Sequence, residues 1–278
     1  MTTDPVTLRR VLYIPGFDPM PPRSYRERYR RAAAEQAAIS GYSVTVGPRR
    51  GDARFGWHVE AAIDGQHSTA EIEVLYWADI VRASMKQGIV GTYLQLVRTA
   101  WAYIGSGALF RLMRLRKGPV IAALYPVVVL LGQLAFAVLA GVAAFAAFIW
   151  ATEGLLRLVE GEHWFLQSHF AERVWFGLLI LGPATAWLVL RWCQRRDHLL
   201  AWYLMHDYAF SAQLNGAYPP AQEDRMRDFA DRITDALHSD ADEVLIVGHS
   251  SGAYIAVSVL ADLLREGWVP DGGPALAL

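Results

Sequence analysis

The chain has 278 residues and a formal net charge of −1, so its charge gives no argument for nucleic acid as a partner. Hydrophobic residues make up 54% and charged residues only 19%, a balance that points away from a purely water-soluble domain and toward a membrane segment. The single cysteine, Cys193, excludes an internal disulfide framework and fits a reducing compartment.

Val11–Ile14 reads as a short buried strand, too short for the apolar core of a secretion signal, and Pro15-Gly16-Phe17-Asp18-Pro19 ends it abruptly. Ser24 to Ile39 reads as a helix, with Ser24 and Glu27 as a capping box and Gly41 as its stop. Tyr42–Val46, Trp57–Ile63 and Ile72–Trp77 read as strands, the last two joined by the turn Asp64-Gly65-Gln66-His67. Residues 1–80 are therefore expected to form the first part of an α/β domain. Asp18 and Asp79 stand at strand ends, where ligands gather in doubly wound sheets, although a turn or cap role is the plainer expectation for each.

Residues 81–118 combine basic and apolar positions. Ile89, Tyr93, Leu96, Val97, Ala100, Trp101 and Ile104 share a helical face, and Gly105-Ser106-Gly107 separates this helix from a short basic one. Such a pair is expected in the lipid headgroup plane, the alternative being lid helices packed on the soluble part. No charged residue occurs from Val120 to Trp150, and this segment is expected to cross the bilayer within 119–151. Val174–Leu190, inside 174–192, is the second expected span, with Pro183 within it. Trp150, Trp164, Trp175, Trp187 and Trp192 fall near the span ends, as interfacial aromatics do.

Arg111, Arg114, Arg116 and Lys117 precede the first span, and Arg191, Arg195 and Arg196 follow the second. The loop 152–173 carries Glu153, Glu160, Glu162 and Glu172 against Arg157 and Arg173. The excess of basic residues on both flanks predicts an integral protein of a bacterial inner membrane, with its N- and C-terminal parts cytoplasmic and the loop outside. Glu162, His163 and His169 have no metal-ligand spacing, so no metal is expected. Cys193 is read as an inert thiol rather than an acylation site.

Residues 193–220 read as a connector. His206-Asp207 within it is no catalytic pair, because neighbours on a helix point apart. In 221–278, Ala221–His238 is an amphipathic helix with Met226, Phe229, Ile233 and Leu237 on one face and an Arg227/Asp231 pair. Val244–Val247 is a buried strand that runs into Gly248-His249-Ser250-Ser251-Gly252, and an apolar-periodic helix from Ala253 to Leu264 follows at once.

A strand, a Gly-x-Ser-x-Gly turn and a helix in that order lift a serine clear of a sheet; Gly248 and Gly252 supply the room for close backbone approach. On these residues, and on Tyr13-Ile14-Pro15-Gly16-Phe17, the chain resembles the α/β-hydrolase superfamily of serine esterases and lipases at its two ends, not in its middle. The resemblance implies a mostly parallel α/β sheet, here carrying an inserted transmembrane helical hairpin. It implies Ser250 as nucleophile and backbone N–H groups of Ser251 and Phe17 as oxyanion donors, with no cofactor.

In that family the acid and the histidine follow the serine in the chain. The residues after Ser250 include Asp262, Glu266 and Asp271 but no histidine. Gly272 to Leu278 looks like the opening of a further strand, so the acid and histidine are expected beyond residue 278. A rearranged site using His58, His67, His198 or His206 is the alternative; His249 reads as a packing residue. The expected function is membrane-anchored hydrolysis of an acyl ester, thioester or amide of lipophilic character, with the lipid bilayer and that substrate as partners. A non-catalytic membrane scaffold with the same fold is the competing expectation. A transporter is disfavoured, because the two expected spans carry no charge to line a path.

Overall fold

The structure is a computed structural model that describes residues 6–50, 54–160, 175 and 177–278. It divides into a sheet-bearing unit, Met1–Lys86 with Ala217–Leu278, and a helical unit, Gln87–Gly216.

The sheet-bearing unit contains β1 (Leu8–Ile14), α1 (Pro22–Ser40), β2 (Ser43–Pro48), β3 (Gly56–Ile63), β4 (Gln66–Val74) and α2 (Ala78–Ser84). Its six strands are completed by β5 (Glu243–Gly248) and β6 (Ala275–Ala277), in the order β2-β3-β4-β1-β5-β6. β4, β1, β5 and β6 pair in parallel, while β3 is antiparallel to both of its neighbours. The apolar runs Val11–Ile14 and Val244–Val247 occupy the adjacent interior strands β1 and β5 because strands covered on both faces need apolar residues at successive positions.

Side-chain alternation then assigns the faces. Val11 and Tyr13 pack with Tyr25, Trp57, Val59, Ile72 and Val74. Leu12 and Ile14 alternate with these and are fully buried. Two further helices, α9 (Pro220–Leu237) and α10 (Ser251–Glu266), flank β5 in the chain and bury Phe229, Ile233, Leu237, Ile255, Val259 and Leu263.

Several local expectations are corrected. The turn between β3 and β4 is the two residues Asp64-Gly65, both at positive φ (52° and 78°), so β4 begins at Gln66 rather than Ile72 and stops at Val74. An Asp-Gly pair is suited to this turn, and its tightness draws the polar residues after it into the ladder. The capping box at Ser24 does not form. Pro22 opens α1 with Pro21 as N-cap, whose ring offers no side-chain oxygen to accept from the first N–H groups. Arg227 pairs with Asp224 at 2.6 Å instead of Asp231.

The strand starts are joined by one carboxylate. Asp242 accepts the Thr7 N–H and hydroxyl, each at 2.7 Å, and the Leu8 N–H at 2.8 Å. The Leu8 N–H, then the Thr7 groups, hold the Asp242 carboxyl below its ordinary pKa. Asp79 is likewise lowered, chiefly by its hydrogen bonds from Arg225. A lowered folded-state pKa gives stability that is present above the ordinary carboxylate range and disappears as pH falls through the folded value. Acid unfolding of the Asp242→Asn/Asp79→Asn variant is therefore expected to show a smaller loss of stability on acidification than the parent, measured by urea midpoints across the acid range.

The helical unit contains α3 (Ile89–Gly105), α4 (Ala108–Leu115), α5 (Lys117–Ala123) and α6 (Tyr125–Glu160). A π-helical turn (Gly177–Leu181), α7 (Gly182–Arg196) and α8 (Ala201–Ala212) follow. Among the described residues, the stretch 120–155 alone is long and apolar enough to cross a membrane. The helix is interrupted at Leu124, two residues before Pro126. α6 has 36 residues, or roughly 54 Å of helix at 1.5 Å each.

The second expected span is only partly described. Residues 161–174 and 176, which include Glu162, His163, Trp164, His169, Glu172, Arg173 and the start at Val174, lie outside the described residues. The described part is the π-helical turn running into α7, with Pro183 in the first turn of α7. Proline has no N–H to give to the regular ladder, which accounts for the wider turn preceding it. α6 and α7 meet through small residues: a methyl group on Gly141 would lie 2.6 Å from the Gly182 carbonyl oxygen.

Residues 193–220 are not a mere connector. Ala201, Trp202 and Met205 of α8 sit in the core of the helical unit with Ile89, Leu96, Leu130, Ala137 and Leu190. Trp202 donates its indole N–H to Gln133 Oε1 at 2.9 Å, and Cys193 is buried.

Candidate functional site

β5 ends at Gly248 and α10 begins at Ser251, leaving His249 and Ser250 to make the whole turn. The His249 N–H still donates to the Ile14 carbonyl at 3.0 Å, so the ladder with β1 holds up to the residue before the serine. Ser250 then takes φ 53° and ψ −123°, a conformation that L-residues other than glycine rarely adopt and that costs on the order of 1–3 kcal/mol. The Gly252 N–H donates to the His249 carbonyl (2.8 Å) and the Ala253 N–H to the Ser250 carbonyl (2.9 Å), which closes the chain straight into α10.

Ser250 stands at the N-cap of α10, yet its hydroxyl does not cap the helix. A capping serine has extended backbone geometry. At positive φ the side chain leaves that position, and Ser250 is exposed while Ser251 and Gly252 are buried. The glycines leave no room for substitution. A methyl on Gly248 would lie 2.6 Å from Ala253 Cα, and one on Gly252 would lie 2.2 Å from the Ile14 carbonyl oxygen and 2.6 Å from that of Pro15.

The same crowding brings the loop after β1 to the serine. A methyl on Gly16 would stand 3.0 Å from Ser250 Cβ and 3.5 Å from its Oγ. The loop is held from below: the Trp77 indole N–H donates to the Pro15 carbonyl at 2.8 Å, and Trp77 is 1% exposed. Phe17 is buried and meets Trp77 edge-on at 6.2 Å between ring centroids. The structure thus unites Gly16, Gly248, Ser250 and Gly252, sets Phe17 directly after Gly16, and sets Ser251 directly after Ser250 as the first residue of α10. Sequence reasoning missed Trp77. Its signal was an indole at the end of an apolar run, where a buried N–H needs an acceptor.

Around this turn, Tyr13 stacks on His249 with ring centroids 6.5 Å apart. Burial, and then the charge of Asp18, push the Tyr13 phenol above its ordinary pKa.

Asp18 accepts the Met20 N–H at 3.0 Å, and Asp79 takes both guanidinium branches of Arg225 at 2.9 Å; both carboxylates serve the fold. The other histidines also have different work or different places. His58 is buried between Glu71 (Nδ1, 2.5 Å) and Glu60 (Nε2, 3.0 Å), and its bond to Glu60 is the first cause of that carboxyl's lowered pKa. His67 is exposed in the β3–β4 hairpin. His198 and His206 belong to the helical unit, where His206 Nδ1 lies 3.0 Å from Gln95 Oε1. Among the described residues none of these histidines hydrogen-bonds Ser250, and no cluster of three metal-binding side chains occurs.

Compared with family models, with curated proteins and with solved structures, the chain matches none.

Proposed function

We propose that the chain is a membrane-anchored serine hydrolase of α/β-hydrolase type that cleaves an acyl ester, thioester or amide of a lipophilic substrate. The observation that carries the reading is Ser250: an exposed hydroxyl, released from capping by a strained positive φ, between a parallel strand and a helix. In this reading Ser250 Oγ attacks the acyl carbon and its proton passes to a general base. The Ser251 and Phe17 N–H groups hold the developing oxyanion, with the N-terminus of α10 adding its dipole. Collapse expels the alcohol, thiol or amine, which takes the proton, and water then releases the acid from the acyl-enzyme. The resemblance puts the base and its orienting carboxylate after Ser250 in the chain.

The long apolar helix and its packing against α7 support a membrane anchor, and the basic residues at Arg111–Lys117 and Arg191–Arg196 support cytoplasmic placement of both flanks. The reading is tested by hydrolysis of p-nitrophenyl esters of increasing acyl length, using the full chain in detergent. Ser250→Ala is expected to lower kcat by about a thousandfold or more at unchanged Tm. Equal rates for parent and variant would contradict the proposal.

The absence of a described histidine bonded to Ser250 favours one second reading, a scaffold with the same fold and no chemistry. It expects Ser250→Ala to keep the cellular phenotype and deletion of 119–192 to abolish it.

A further inference from the structure

α3 is apolar on two sides. Its packed face carries Ile89, Tyr93 and Leu96 together with Thr92, Gln95 and Thr99, with Thr92 wholly buried and Gln95 bonded to the buried His206. Its outward face carries Val90, Leu94, Val97, Trp101 and Ile104, all exposed, Trp101 at 80%. The single amphipathic face expected from the sequence is therefore split: Ile89, Tyr93 and Leu96 point into the helical unit, and Val97, Trp101 and Ile104 point away from it.

The packed face already buries Ile89 and Leu96, so the exposed stripe is a second apolar face that the helical unit leaves uncovered. An apolar stripe left outside the protein's own core, with a basic residue beside it, is suited to the acyl boundary of a membrane. α4, next in the chain, also exposes Phe110, Leu112 and Leu115. Charge identifies the occupant. Arg98, Arg111 and Arg114 are exposed on α3 and α4, Arg111 also donating to the Ser106 carbonyl at 2.6 Å, and the chain carries no acidic residue between Asp79 and Glu153.

We propose that the outward face of α3 with α4 is a binding surface for anionic phospholipid headgroups, with the apolar stripe in the acyl boundary and the three arginines on the phosphates. The helix lies in the membrane plane. Its 17 residues reach only about 25 Å, less than the roughly 30 Å hydrocarbon core, and Arg98 at mid-helix would be costly at the bilayer centre. This inference rests on the membrane half of the proposed function and not on Ser250.

The test uses the full chain with Cys193→Ser and Ser250→Ala, so that its outcome is independent of catalysis. Single cysteines at 90, 94, 97, 101 and 104 carry nitroxides, in vesicles of phosphatidylglycerol and phosphatidylcholine. All five labels are expected to be open to oxygen and closed to a water-soluble nickel chelate, at one common depth of about 5–10 Å below the phosphates. A depth that changes steadily along the helix would mean a span. Labels closed to both reagents would mean a second copy or the sheet-bearing unit covers the face, and labels open to nickel would mean water; each of these overturns the proposal. In a second measurement, Arg98→Gln/Arg111→Gln/Arg114→Gln is expected to lower the ratio of retained phosphatidylglycerol to phosphatidylcholine by roughly tenfold. An unchanged ratio would overturn the anionic assignment, and the depth profile, which needs no arginine variant, decides the rest.

Discussion

Replacing Gly252 with alanine is expected to cost about 3 kcal/mol of folding stability and to remove reactivity at residue 250. The added methyl would meet two carbonyl oxygens, those of Ile14 and Pro15, at 2.2 and 2.6 Å. Neither can rotate away, because Ile14 ends the central strand and the Pro15 carbonyl holds the Trp77 indole N–H. Relief must come from moving α10 off β1 or lifting the Gly16 loop, and either shift separates Ser250 from Gly16. At roughly 2–4 °C per kcal/mol, Tm should fall by about 6–12 °C. Gly132→Ala is the control: it sits in α6 with open space around it and is expected to be neutral or mildly stabilising. Equal melting of Gly252→Ala and the parent would refute the close approach.

The second large effect is electrostatic. Glu73 is buried in β4, and Arg232 of α9 meets it with two bonds, Nε to Oε1 at 3.0 Å and Nη2 to Oε2 at 2.8 Å. Ile72 and Val74 point into the cluster around Tyr25, so Glu73 points to the opposite face, where α9 packs. Removing only the arginine leaves a buried carboxylate without its charge partner, facing a cavity that Asp79, Asp228 and Asp231 also line. Arg232→Met is therefore expected to destabilise the protein by about 3–5 kcal/mol. Pairing it with Glu73→Leu should recover most of the loss, since a well-packed apolar pair often equals a buried ion pair. A double variant as unstable as Arg232→Met alone would show that the arginine acts by packing, not charge.

What the sequence disclosed depended on how local the controlling physics was. The interior strands β1 and β5, the Gly-x-Ser-x-Gly turn and the apolar face of α9 were legible because periodicity and glycine placement are local signals. The approach of Gly16 to Ser250 was legible only through the resemblance, and the geometry agrees with it. The start of β4 was misread because Gln66, His67, Ser68 and Thr69 are polar; an Asp-Gly turn fixes register regardless of polarity. The Trp77–Pro15 bond and the Arg232–Glu73 pair join residues far apart in the chain, with no periodic trace. The single face of α3 was misassigned because apolar residues stand on two of its sides, and α3 and α8 bury polar side chains against each other as well. The burial of α8 was hidden for the same reason: Trp202, His206 and Asp207 mix polar and apolar positions without one clean stripe.

The most direct measurement is mass spectrometry of the full-length protein after exposure to a fluorophosphonate bearing an alkyl chain. A nucleophilic Ser250 should yield one phosphonylated peptide containing residue 250, lost in Ser250→Ala and retained in the charge-pair double variant. An unmodified residue 250 in folded full-length protein, or an adduct that survives Ser250→Ala, would contradict the assignment of this serine as the reacting group.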